Sequence, residues 1–236
     1  RSSPAKQAAH SAAEPPPTSL TRQIRVRGAV CEPLLLLASL DHELGERFEI
    51  SFNTYKPFAC GIVIHPSIDA SVQLRERGVR PEQLERIELK VHSLVLELTG
   101  KKEPADGLQG KFSVYHGCAV GLIFGRAGEH EFSDAIVNRP DVVELPRNTL
   151  ATVDDRIDEA SVDVTAILSG GKREHVFVEH AIGSLQRPMT DAQLEAKFEQ
   201  LSEPVLGADK TRSLIAAAWK IGDSPNVRGL TDLSHP

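Results

Sequence analysis

Apolar and polar positions along the chain fall into two periods. Over 48–52, Phe48, Ile50 and Phe52 alternate with polar residues, which predicts a strand. Over 66–77 the spacing becomes helical. Ile68 and Val72 lie four apart, Pro66 suits the first helical position because no helical partner awaits its missing N–H, and Gly78 supplies a stop. Residues 81–84 start a turn. Ile87, Leu89 and Val91 then alternate, and Leu94, Leu96 and Leu98 alternate in the opposite phase. This predicts two strand halves joined at a bulge or a bend near His92 and Ser93. The polar stretch 101–110, with Gly107 and Gly110, reads as a loop. Residues 112–124 are almost wholly apolar and predict a buried helix. On it Gly117, Gly121 and Gly125 fall four apart and leave one side bare for close packing. A short helix is expected over 129–136, and Pro140 sets it apart from 141–145. Residues 150–153 open another strand region. Val162, Val164 and Ala166 alternate before Gly170 and Gly171, and Val176 and Val178 after them, which is a hairpin pattern. Thr190 and Gln193 form a capping box ahead of Leu194, Phe198 and Leu201. The last clear helix runs over 210–220, and the tail after Gly222 is expected to be loosely held. The sum is an α+β fold, a mixed β-sheet with helices packed on it.

Residues 1–27 break this pattern. They are rich in Ala, Ser and Pro, have no apolar period, and predict a disordered leader or linker, with the folded domain over 28–236. A short apolar helix is expected in the later part of 31–40, after Pro33. The chain begins with Arg1 rather than Met, so a fragment of a longer protein is expected. Its 236 residues suffice for one large domain or two small ones. The net charge of −6 comes with no basic cluster interleaved with aromatics, which argues against a nucleic-acid partner. The apolar runs, 34–38 among them, are far too short to span a membrane. Cys31, Cys60 and Cys118 show no paired spacing. With no secretory pattern at the start, they read as reduced thiols of a cytoplasmic protein.

The stretch 55–70, YKPFACGIVIHPSIDA, concentrates the candidate chemistry. His65 stands at or near the N-cap of the helix that Pro66 opens. A helix N-terminus carries partial positive charge and unpaired N–H groups, and Lys56 adds a full charge close by. Together Lys56, His65 and the helix end could hold a carboxylate-bearing substrate. The plain alternative is a surface lysine and an ordinary capping histidine. Tyr115 is a second candidate, since a phenol within an apolar helix needs a hydrogen-bond partner. Its neighbour His116 points elsewhere on the helix and reads as structural. Cys60 reads as a small apolar filler, because a nucleophile would need a base and a lowered thiol pKa. The turn over 125–128, GRAG, lacks phosphate-loop spacing and reads as a helix end. His175 and His180 have no metal-ligand spacing, and no HExxH, CxxC or EF-hand pattern occurs. No metal and no cofactor are expected.

KPFACGIVIHPSIDA resembles the KPYPC…HPAIDA signature of the MmgE/PrpD family. That family includes 2-methylcitrate dehydratases, cis-aconitate decarboxylases and related enzymes acting on small polycarboxylates. LGERFEISFNTYKPF, KFSVYHGCAVGLIFG and HAIGSLQRPMTDAQLEAKF fall in the family's order, so the resemblance runs from about residue 44 to about 219. It covers the family's smaller C-terminal α+β domain, without the large helical domain that normally precedes it. The resemblance implies a cofactor-independent dehydratase-type lyase acting on a di- or tricarboxylate, with Lys56, His65 and Tyr115 on the substrate. Tyr115 would bind substrate or relay a proton. Most of the acid and base groups would come from the helical domain. A homodimer is implied, and with it an apolar face left bare when the helical domain is missing. The decarboxylases carry a histidine five residues after the lysine, where this chain has Gly61, which argues against decarboxylation. An inactive remnant or dimerisation module, and an epimerase or isomerase of the same family, are the alternatives.

Overall fold

In the computed structural model the described residues are Gly45, Glu46 and 48–236. The leader expected over 1–27 and the short helix expected in the later part of 31–40 lie outside them. The chain divides into two units, 1–51 and 52–236. Where the division falls, the expected strand over 48–52 is a 3-10 turn, Glu49–Phe52. The amide and hydroxyl of Ser51 both donate to the Phe48 carbonyl, and this curls the backbone that the apolar alternation would have extended.

The second unit is built on a four-stranded sheet of β1 (Leu84–Val91), β2 (Thr149–Val153), β3 (Val162–Leu168) and β4 (Arg173–Val178), in the order β2-β1-β3-β4. β1 and β2 run parallel, so the chain between them must cross over, and it does so through helices. The other two pairings are antiparallel. One face of the sheet is dry, formed by Ile87, Leu89, Val91, Val162, Val164, Ala166, Val176 and Val178. The opposite face carries ion pairs, with Glu88 between Arg86 and Arg173 and Asp163 beside His175. Among the described residues, helices therefore cover one side only. The β3–β4 hairpin turns at Gly170 and Gly171 as the sequence pattern predicts.

The dry face is covered by α1 (His65–Glu76), which packs on β3 and β4. Pro66 lies in its first turn, and Ile68 and Leu74 are fully buried, each worth about 2 kcal/mol of apolar transfer. The next segment departs from expectation. Instead of continuing the strand, Ser93–Thr99 forms helix α2. His92 Nδ1 accepts from the Leu94 amide and caps the turn, while Val95 and Thr99, four apart, are the residues that become buried. The alternation of Leu94, Leu96 and Leu98 concealed a helical spacing on the other residues. Within the expected loop 101–110, Asp106 caps a single helical turn, α3 (Gly107–Gly110).

The apolar helix is α4 (Val114–Phe124), capped by Ser113 and packed against α1. Gly117 and Gly121 form the bare side. A Cβ on Gly121 would lie 3.0 Å from the Ile68 carbonyl oxygen. Gly125 instead ends the helix. The single helix expected over 129–136 is a 3-10 turn, His130–Phe132, and a short helix α5 (Asp134–Val137), broken where Ser133 is extended. Then α6 (Pro140–Arg147) leads into β2. The Thr190–Gln193 capping box opens α7 (Asp191–Leu206), and Gly207 joins it to α8 (Ala208–Trp219). No residue of α7 is buried, and α8 buries Thr211 and Leu214. The tail contains a further helix, α9 (Arg228–Leu233), also without a buried residue. The fold is α+β, as expected.

Candidate functional site

A cleft of about 790 Å³ opens beside the segment 56–61. Its walls include Lys56, Phe58, Lys111, Phe112, Arg126 and Lys197. Backbone hydrogen bonds hold the segment along its length. Ala59 donates to Ala127 and Gly61 to Lys111, each at 3.0 Å. The Lys197 ammonium, from α7, donates to the Lys56 carbonyl at 2.7 Å. Gly183 sits against the start of the segment at φ +87°. A Cβ there would lie 2.4 Å from the Tyr55 carbonyl oxygen, so only glycine permits this approach.

The charges around the cleft are unevenly paired. Lys111 meets Glu129 at 2.6 Å, and Arg126 meets Glu131 at 2.9 Å. Lys56 and Lys197 pair with no carboxylate among the described residues and donate only to backbone carbonyls. Burial works to raise the Glu131 carboxyl. The hydrogen bonds it accepts from Arg126, the Gly128 amide and His130 outweigh that and hold it below the usual carboxylate range. Beneath it, His116 Nε2 lies 3.0 Å from the Glu131 carbonyl, so the buried histidine fixes the cleft wall over 126–131. Burial lowers the His116 pKa, against that hydrogen bond, and a neutral ring protonated at Nε2 donates to the carbonyl. The Cys60 thiol is pushed up to about 12 by burial, although Lys56 and Lys111 oppose the shift, so it is a protonated thiol. Among the described residues no group of three or more His, Cys, Asp or Glu is placed to hold a metal ion, and no helix is long and apolar enough to cross a membrane.

The sequence profile of the MmgE/PrpD C-terminal domain matches residues 58–221, more than half of the chain. The chain belongs to the MmgE/PrpD family. It is also similar to the cis-aconitate decarboxylase of Mus musculus, at 24% identity over 194 residues, which cover 76% of this chain and 38% of the mouse protein. The chain thus spans well under half the length of that relative.

In this MmgE/PrpD domain the three residues singled out from sequence do not share one wall. Lys56 lines the cleft. His65 is the first residue of α1 and lies buried under Phe58, ring edge to face at 5.3 Å. Burial, and then the charge of Lys56, lower its pKa to about 4, so it is neutral at pH 7, and its Nε2 has no partner among the described residues. Tyr115 is half-exposed on α4, outside the cleft lining, with the Lys102 ammonium 5.7 Å from its ring centre. Burial, and next Cys118, raise its pKa.

Sequence reasoning missed Lys111, Arg126 and Lys197. Arg126 belongs to the GRAG turn, which does end α4 but also lines the cleft. Lys111 and Lys197 stand within family-like segments but carry no signal of their own. Asp69, in the HPSIDA motif, is a further residue that sequence reasoning does not single out. Its carboxylate accepts from the Ile182 amide at 2.8 Å, Arg187 at 2.5 Å and Gln73 at 3.0 Å, and so pins the loop carrying Gly183 to α1. The periodic signal of α1 marks Ile68 and says nothing of its polar neighbour.

Proposed function

We propose that this chain is the C-terminal domain of a cofactor-independent, dehydratase-type lyase acting on a small di- or tricarboxylate such as 2-methylcitrate. The observation that carries the reading is the pair of lysines on the cleft, Lys56 and Lys197, left without a carboxylate among the described residues while their neighbours Lys111 and Arg126 have one. A ligand that brings its own carboxylates completes the pairing.

The chemistry follows from that placement. An ammonium on the substrate carboxylate stabilises negative charge that develops when the adjacent C–H bond loses its proton. The C–O bond then breaks, the double bond forms, and hydroxide leaves with a proton as water. A base within hydrogen-bond reach takes the first proton. In this reading the family's helical domain supplies that base, within a longer chain or as a separate one, and the protein works in the cytoplasm as a homodimer. Lys56 binds the carboxylate, and neutral His65 supports the floor under Phe58 and Cys60. Tyr115 serves the face on which the helical domain closes, as a ligand or proton relay. Gly61, which stands where the decarboxylases carry a histidine, favours loss of water over loss of carbon dioxide.

The test is to assay the longest gene product containing this chain with 2-methylcitrate and related acids, following the ultraviolet absorbance of the alkene. Turnover that disappears in Lys56→Ala is the expected result. Turnover unaffected by Lys56→Ala, or absent on every di- and tricarboxylate tried, would sink the reading.

A further inference from the structure

Helix α7 stands over the cleft without being seated on it. None of its sixteen residues is buried. Its apolar side chains Phe198, Leu201 and Val205 are 37%, 51% and 63% exposed. Crevices lie on both sides of it. Lys197, Gln200, Leu201 and Pro204 face the 790 Å³ cleft, while Gln193, Ala196, Lys197 and Gln200 border a second space of about 300 Å³ toward Asp69 and Arg187. Phe58, Arg126 and Gly128 line both spaces. The Lys197 bond to the Lys56 carbonyl ties the helix to the body, and the Gln200 amide oxygen rests close to Gly128. At its end Gly207, at φ +77°, has open space around it.

We propose that Lys197 is the second carboxylate-binding cation of the cleft, beside Lys56, and that a dianion held by the two draws α7 down as a lid. The proposal rests on the carboxylate reading of the cleft and adds a residue and a motion to it. Lys197 is the basic group of the cleft that α7 carries, so a ligand touching both lysines necessarily bridges helix and body. Coulomb attraction strengthens as water leaves, and closure removes water from the cleft while covering Leu201 and its apolar neighbours. A monoanion satisfies one lysine and leaves the helix where it is.

The experiment titrates the chain with succinate and with acetate by NMR chemical shift, which reads millimolar affinities, with amide hydrogen exchange in parallel. Lys197→Ala is expected to weaken succinate about tenfold or more while leaving acetate within roughly twofold, and Lys197→Arg to restore most of the loss. Exchange over 191–206 should slow with succinate and not with acetate. A purely structural Lys197, acting through the Lys56 carbonyl, would weaken both anions alike, and that result overturns the proposal. So does unchanged exchange in α7 while succinate binds, with the carboxylate reading left standing. If the wild-type chain binds neither anion, the carboxylate reading falls and takes the lid with it.

Discussion

At the scale of single residues, His65 sets a pH dependence. Its pKa is lowered in the fold from 6.5 to about 4, chiefly by burial. Between those values the unfolded chain takes up a proton that the folded chain refuses. The contribution is therefore fully present above pH 6.5 and is lost as pH falls toward 4. His116, lowered by burial too, acts in the same direction. Urea denaturation followed by circular dichroism should show the core transition about 2 kcal/mol less stable at pH 5 than at pH 7.5 on account of His65, and His65→Gln should flatten that slope. Equal slopes in the two proteins would refute the assignment. Asp69 offers a second residue-level test. Asp69→Ala leaves the Ile182 amide without its acceptor and releases the half-exposed Arg187, and should cost about 2 kcal/mol, read from the denaturation midpoint. The loop over 181–187 should lose exchange protection as well.

At the scale of elements, the tightest constraint is the approach of α4 to α1. Gly121→Ala would favour an isolated helix by about 1 kcal/mol. In the fold the new methyl meets the Ile68 carbonyl at 3.0 Å and Ser71 Cβ at 3.1 Å. Neither neighbour is the mobile end of a long side chain, so the substitution should destabilise the protein by about 1–2 kcal/mol net. A raised melting temperature would contradict the packing argument. This glycine spacing was legible in the sequence, as were α1, the β3–β4 hairpin and the α7 capping box, because each has a strong local cause. The α2 segment was not. Leu94, Leu96 and Leu98 alternate like a strand, yet the cap from His92 and the burial of Val95 and Thr99 decide for helix. The segment 48–52 failed for a related reason, since period-two spacing gives no sign of the turn that Ser51 closes. In the cleft, Lys56 was legible because it stands within a family motif. Lys111, Arg126 and Lys197 come from three separate segments, and only the fold brings them together.

At the scale of the whole molecule, apolar side chains stand in water beside the cleft. Leu98, Leu108 and Phe112 are each at least half exposed, and Leu108 and Phe112 join the cleft to a neighbouring depression of about 540 Å³. Contiguous apolar surface of this kind drives association. The chain is expected to self-associate with rising concentration in light scattering, and Leu98→Lys with Leu108→Lys to shift it toward monomer. A wild-type monomer at high concentration would count against the exposed face as a contact surface.

The bond between Trp219 and Glu195 has a spectroscopic consequence. Trp219 is the sole tryptophan, and its indole donates to Glu195 across the pair formed by α7 and α8. Its emission therefore reports the integrity of a helical pair that buries only Thr211 and Leu214, while circular dichroism reports the sheet and its packed helices as well. Regions with few buried contacts open at lower free energy than the core. The two signals should melt apart, fluorescence first, so heating would unfold this chain in two steps rather than one.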